Sequence, residues 1–379
     1  SRARDEGRMC GYEITTSKDD SDTSSSKSAW IYNSVSINGT KIPKLTIEYY
    51  DKEDYTDCPR ITYKVYDEGK HWSVEGNDGG FAGDNEGEDA YAARAFQASV
   101  SANGYSIPST GIKYRAYSDE AGWSAWKTNG AAAGDTAKTY NMKAVEMQWN
   151  TTSAENAYYD LYYRVYVPGR GWLGWAKNAQ TAGDYTKGNY ISAMEAVIVP
   201  KIRYRLEYVA SDGTSKVTDP SPGNKFCFNR EDSKIITGIG IAYVDQKLND
   251  KYNISIRVYT NDRKSIQDYA IKGGKLSIVG NGKNITGYSA SFLDVTHRMR
   301  YNIQHVGSSL NANLKDGKWE NNEVYSGDVN ENELVKILSV RSAPKDYIAG
   351  KRACITGQFR VDEDGYGFVN TWGSFGYSA

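Results

Sequence analysis

A cation recurs at one place in a repeated stretch of this sequence. Lys64, Arg115, Arg164 and Arg257 each have a tyrosine two positions later: Tyr66, Tyr117, Tyr166 and Tyr259. On an extended strand the two side chains share a face. A guanidinium beside an aromatic row can hold a carboxylate, a sugar or a protein side chain. It can equally stack on its tyrosine and pair with a nearby glutamate such as Glu146 or Glu195, which makes a solvated structural face. The second role is the simpler one, because the first requires every copy to share a ligand. Trp126 and Trp175 add flat apolar surface of the kind that stacks sugars and anchors interfaces. With Arg115, Tyr117, Arg164 and Tyr166 they form the candidate binding set. Trp72, Trp123 and Trp172, one per copy, are expected to fill a shared core.

Signals for catalysis are sparse. The chain has three histidines, His71, His297 and His305, and no HExxH, GxSxG or phosphate-loop pattern. No catalytic residue, metal ligand or cofactor is assigned, and the expectation is a protein that is not an enzyme. The acidic stretches "DNEGED" (Asp84–Asp89) and "DEDG" (Asp362–Gly365) lack the ligand spacing of a calcium loop and read as solvated turns.

The elements that would carry these side chains form a repeat. Trp72, Trp123 and Trp172 are 51 and 49 residues apart. Tyr66, Tyr117 and Tyr166 precede them by a constant interval. An Ala-Gly pair follows each, ending at Gly83, Gly134 and Gly183, and a later alanine follows at Ala93, Ala144 and Ala193. In "IKYRAY", Ile112, Tyr114 and Ala116 fall on one face and Lys113, Arg115 and Tyr117 on the other, the alternation of a half-buried strand. Asp78-Gly79 and Asn129-Gly130 are hairpin-turn signals, and Asn178-Ala179 is a weaker one at the same place. A unit of a few short strands is not stable alone, so the copies must pack on one another.

Gly122-Trp123 with Trp126, and Gly171-Trp172 with Trp175, each after a tyrosine strand and before Ala-Gly, resemble the clostridial hydrophobic repeats with conserved tryptophan (ChW repeats). The resemblance covers about residues 61–200 and is weaker over 250–340. It implies a secreted or cell-surface module of Clostridia-like Gram-positive bacteria.

Composition agrees with an all-β chain: 31 tyrosines and 37 glycines in 379 residues, with 46 basic against 47 acidic side chains. Balanced charge gives no attraction to nucleic acid, and no apolar run approaches a membrane span. The expected architecture is repeated short antiparallel sheets, β-prism-like or sandwich-like. The expected parts are a polar N-terminal arm (1–29, containing "TSKDDSDTSSSKS"), a three-repeat domain (30–200) and a divergent second β domain (201–379). In the latter, "ISIRVY" (Ile254–Tyr259) echoes "YYRVY". In "RYNIQHVGSSL", Tyr301 stands as far before Leu310 as Tyr163 before Trp172.

Cys10, Cys58, Cys227 and Cys354 allow two disulfides, Cys10–Cys58 and Cys227–Cys354, or buried thiols. The functional expectation is an extracellular or surface binding and adhesion protein whose partner is a glycan or a surface protein. The first alternative is a subunit of a fibre, appendage or surface layer that self-associates through its N-terminal arm by strand addition. The second is a secreted hydrolase.

Overall fold

The computed structural model describes residues 27–32, 44–49, 58–101, 111–150, 154–223, 225, 234–294, 300–308, 319–327 and 334–356. The chain forms two compact units, 1–55 and 56–379. In the first, Lys27–Tyr32 pairs antiparallel with Lys44–Tyr49. The end of the arm expected to self-associate, Lys27–Ala29, thus lies in a strand paired within its own chain. The rest of the polar arm, 1–26, lies outside the described residues.

The second unit is nearly all β, built from small antiparallel sheets. Each repeat contributes a long hairpin. Arg60–Asp67 pairs with Ala93–Ser101, Ile112–Ser118 with Ala144–Trp149, and Tyr159–Val167 with Ala193–Pro200. The alternation read from the sequence holds: Ile112, Tyr114 and Ala116 are buried, and Lys113, Arg115 and Tyr117 lie toward the outside.

The core anchor of each repeat is a tyrosine, not the tryptophan. Tyr63, Tyr114 and Tyr163 are almost wholly buried. Each donates its hydroxyl to a carbonyl in the following turn, that of Gly80, Ala131 or Gln180. That bond satisfies both the buried hydroxyl and a turn carbonyl. Trp72 is exposed, and Trp123 and Trp172 are half-buried. The reason is register. Trp72, Trp123 and Trp172 pair with Tyr66, Tyr117 and Tyr166. Cross-strand partners share a face, and those tyrosines lie on the outer one.

The Ala-Gly signature closes the three repeats into a ring. Gly134 of the second copy pairs with Ala95 of the first, Gly183 of the third with Ala144 of the second, and Gly83 of the first with Ala193 of the third. A Cβ on any of these glycines would overlap the neighbour's backbone, and on Gly183 it would sit 2.7 Å from the Ala144 methyl. Where a glycine of one copy meets an alanine of its neighbour the backbones lie too close for a larger residue, so both are small. In the first copy the matching alanine is Ala95 rather than Ala93, because a bulge between Tyr66 and Asp67 shifts the register.

The turn signals also act between copies. Asp78-Gly79, Asn129-Gly130 and Asn178-Ala179 all take positive φ. The second residue of each donates its N–H to the neighbouring copy, Gly79 to Ala196, Gly130 to Ala98 and Ala179 to Met147. Only the third copy places a side chain at a φ of 68°. Ala179→Gly should therefore stabilise the protein by about 0.5 kcal/mol, the relief of left-handed strain less the added freedom of the unfolded chain. A urea midpoint that stays put or falls would count against this account.

The second half is also built from three long hairpins. Ile202–Val209 pairs with Ile235–Tyr243, Ile254–Thr260 with Ile285–Phe292, and Tyr301–Ser308 with Ile337–Pro344. Val279-Gly280 and Ser326-Gly327 hand over to the preceding hairpin as Ala-Gly does in the first half. "ISIRVY" aligns as read. Tyr301, however, matches Tyr159, and His305 takes the place of Tyr163, with its Nε2 2.7 Å from the Val324 carbonyl. Tyr204 holds that place in the fourth hairpin and bonds the Lys225 carbonyl at 2.7 Å.

The boundary expected near Lys201 marks the passage from one set of three hairpins to the next, but it does not separate compact units. One apolar cluster runs from Cys58 to Val340. Tyr159 also donates to Asp245 at 2.7 Å, at the cap of the short helix Gln246–Lys251. Cys58 and Cys354 are buried. Cys58 Sγ lies 3.8 Å from the Tyr301 hydroxyl. Burial pushes the Cys354 thiol up to about 12. Cys10 and Cys227, the other halves of the two expected pairs, lie outside the described residues.

Candidate ligand-binding cleft

The six residues singled out from the sequence fall into two equivalent clusters. In the second copy the Arg115 guanidinium sits between Trp123 and Trp126, 4.5 and 4.6 Å from their ring centroids, and pairs with Glu146 at 2.7 Å. Tyr117 packs edge-on against Trp123 at 5.4 Å. In the third copy Arg164 sits between Trp172 and Trp175, at 5.0 and 4.6 Å, and pairs with Glu195 at 2.6 Å. Tyr166 packs on Trp172 in the same way. The cation thus stacks on tryptophan rather than on its own strand's tyrosine, and its carboxylate is the neighbour expected from the sequence. In the first copy Glu75 replaces the second tryptophan, and Lys64 faces it at 3.9 Å. Among the described residues no tryptophan stacks on Arg257, which bonds the Gln267 side-chain carbonyl.

These ladders are self-contained. Both faces of the guanidinium are covered by indole and its edge is neutralised by a carboxylate. Little of the cation's binding capacity is left for a ligand. Burial raises the Glu195 carboxyl above its ordinary value, while the hydrogen bond and charge of Arg164 oppose that rise.

The two ladders differ in exposure. Trp126 is 36% exposed and Trp175 only 9%. The third copy is covered by the chain's own segment 345–355. Asp346 pairs with Arg164 at 3.0 Å, the Arg352 carbonyl accepts from Gly174 N–H at 2.7 Å, and Cys354-Ile355 adds a strand beside Gly183-Asp184. Trp175, a member of the candidate binding set, is therefore largely buried and forms one wall of a cleft.

That cleft has a volume of about 570 Å³ and lies between the third hairpin and the second set. Its aromatic surface comes from Tyr162, Tyr347 and Trp175, and its charges from Asp160, Lys177, Lys201 and Arg341. Tyr162 and Tyr347 meet edge to face at 5.8 Å. Asp160 is held by Lys177 at 2.7 Å and Lys201 at 3.6 Å. It also accepts from Asn178 Nδ2 at 3.0 Å. Lys177 lies over the Tyr162 ring at 5.5 Å. Tyr162 is strongly desolvated, so its phenol stays protonated well above the usual range. A concave aromatic surface edged by a few fixed polar groups is the usual make-up of a small-ligand site.

Arg341 is a third sandwich, and the sequence did not reveal it. Its guanidinium lies 3.8 Å from the Trp319 ring and 4.7 Å from that of Tyr347. Its Nε donates to the side-chain carbonyl of Gln304 at 2.9 Å. The three residues come from separate elements of the sixth hairpin, and Trp319 falls outside the tryptophan spacing of the first half. No family model, curated protein or solved structure matches the chain. Among the described residues no helix is long and apolar enough to cross a membrane.

Proposed function

We propose that this chain is a non-enzymatic binding protein of a bacterial surface or extracellular space, and that the cleft beside Trp175 is where it takes its ligand. The observation that carries this reading is the cleft's make-up: three aromatic residues and four charged ones around one concavity. The ChW resemblance supports the location and the bacterial source. The ladders in the second and third copies serve as framework, since each satisfies its own cation. A saccharide suits the cleft because the apolar face of a sugar ring stacks on tyrosine and its hydroxyls meet side chains such as Asn178 and Gln180.

A glycan array tests this. The wild-type protein is expected to give a saccharide signal that Tyr347→Ala weakens at least tenfold and Trp126→Ala leaves within about twofold. Loss through Trp126→Ala in a folded protein, with Tyr347→Ala unchanged, would move the site to the exposed ladder.

A further inference from the structure

We infer that the ligand of this cleft is an anionic saccharide, recognised through Arg341. The inference rests on the reading of the cleft as the binding site and adds the charge of what enters it. Among the described residues, three arginines are sandwiched between aromatic rings. Two of them, Arg115 and Arg164, are neutralised by Glu146 and Glu195. The third, Arg341, meets Gln304 in the corresponding role, an amide in place of a carboxylate. No carboxylate lies within ion-pair distance of Arg341 among the described residues, and its Nη2 has no hydrogen-bond partner there. Trp175, which also lines the cleft, has an indole Nε1 without a partner. Buried donors are normally satisfied, and an unpaired cation near low-dielectric walls attracts an anion strongly.

The remaining charges do not supply that anion. The lining holds three cations, Lys177, Lys201 and Arg341, against the single carboxylate of Asp160. That carboxylate is already engaged by both lysines. The cleft therefore carries an excess of two positive charges, three less one. A planar guanidinium presents its donors in the fork geometry that a carboxylate or sulfate accepts. The tyrosine rings beside it provide the stacking surface for the sugar that bears the group.

Titration calorimetry with three defined probes tests the inference: tetragalacturonic acid, its methyl ester, and a heparin-derived tetrasaccharide. The first and third separate carboxylate from sulfate, and the ester removes the charge while keeping the sugar. One or both acidic probes should bind at least tenfold tighter than the ester, and the binding should weaken as salt is raised. Arg341→Gln should reduce that affinity at least tenfold, and Arg341→Lys should keep part of it. Lys177→Gln, at the rim, should cost a smaller factor of about two to five, and it provides a readout if Arg341→Gln does not fold. Equal affinity for the ester, or full affinity in folded Arg341→Gln, would overturn the charge inference and leave the cleft a binding site for neutral sugars. No binding of any probe, together with an empty glycan array, would overturn both.

Discussion

Gly174→Val is expected to strip the segment 345–355 from the third repeat, uncover Trp175 and cost about 3 kcal/mol of stability, as expulsion of a packed backbone segment does. Valine is the residue the first copy carries at this place, Val74, and the second copy has Ala125. The three copies share strand, turn and ring closure, yet among the described residues only the third is covered by the segment 345–355. The difference is one side chain. A Cβ on Gly174 would lie 2.6 Å from the Lys351 carbonyl carbon and closer still to its oxygen. Both are backbone atoms that cannot move aside as a side-chain tip can. Four bonds depend on that approach: Gly174 N–H to Arg352, Gly183 N–H to Ala353, Tyr185 N–H to Ile355, and the Arg164–Asp346 pair. At about 1 kcal/mol net for each backbone bond, and less for a pair whose carboxylate is exposed, the sum agrees with the expected loss. The measurements are a red shift of tryptophan emission and faster tryptic cleavage after Lys351 and Arg352. Emission and cleavage unchanged from wild type would show that the segment is held by something other than this contact.

The contrast between the copies also explains what the sequence could reveal and what it could not. The ring was legible in outline, because Gly83, Gly134 and Gly183 recur for a reason that acts on every copy equally: each must approach a neighbour's alanine. The alternation of Ile112, Tyr114 and Ala116 was legible for the same kind of reason. The sequence misplaces the conserved-spacing tryptophans: a recurring large apolar residue reads as core, whereas Trp123 pairs with Tyr117, which the same alternation already puts outside. The cleft was not legible at all. It depends on residues that differ between copies, on Gly174 admitting a strand where Ala125 does not. It depends also on Gln304, Trp319, Arg341 and Tyr347 meeting across separate segments. A repeat signature reports what the copies share. A site built from their differences leaves no period to find.

His305 is the clearest of those differences, and it should make the second half of the protein sensitive to mild acid. In four other hairpins the equivalent position is a tyrosine, Tyr63, Tyr114, Tyr163 and Tyr204, whose hydroxyl bonds a carbonyl beyond the strand. His305 performs the same task with an ionisable ring. It is fully buried, packs against Tyr288 at 5.1 Å, and has Nε2 2.7 Å from the Val324 carbonyl. A carbonyl only accepts, so Nε2 carries the proton of the neutral ring. Nδ1 has no hydrogen-bond partner, and a second proton there would place a charge in a desolvated site. Desolvation accordingly depresses the pKa to about 4, against the smaller opposing effects of the Val324 and Ile303 carbonyls and the Glu320 charge. The unfolded chain has an ordinary histidine near 6.5. Above that value neither state binds the proton and the folded protein has its full stability. As pH falls from 6.5 toward 4 the unfolded state takes up a proton that the folded state refuses, and stability is lost. Between pH 7.5 and pH 5 the loss from this one group should be about 2 kcal/mol. His305→Gln keeps an N–H for the Val324 carbonyl and cannot titrate in this range. Urea unfolding at the two pH values should show a difference about 2 kcal/mol smaller in the variant than in the wild type. Equal pH dependence in the two proteins would mean that the folded protein accommodates the protonated ring, by opening the turn that carries Val324 or by admitting water to Nδ1.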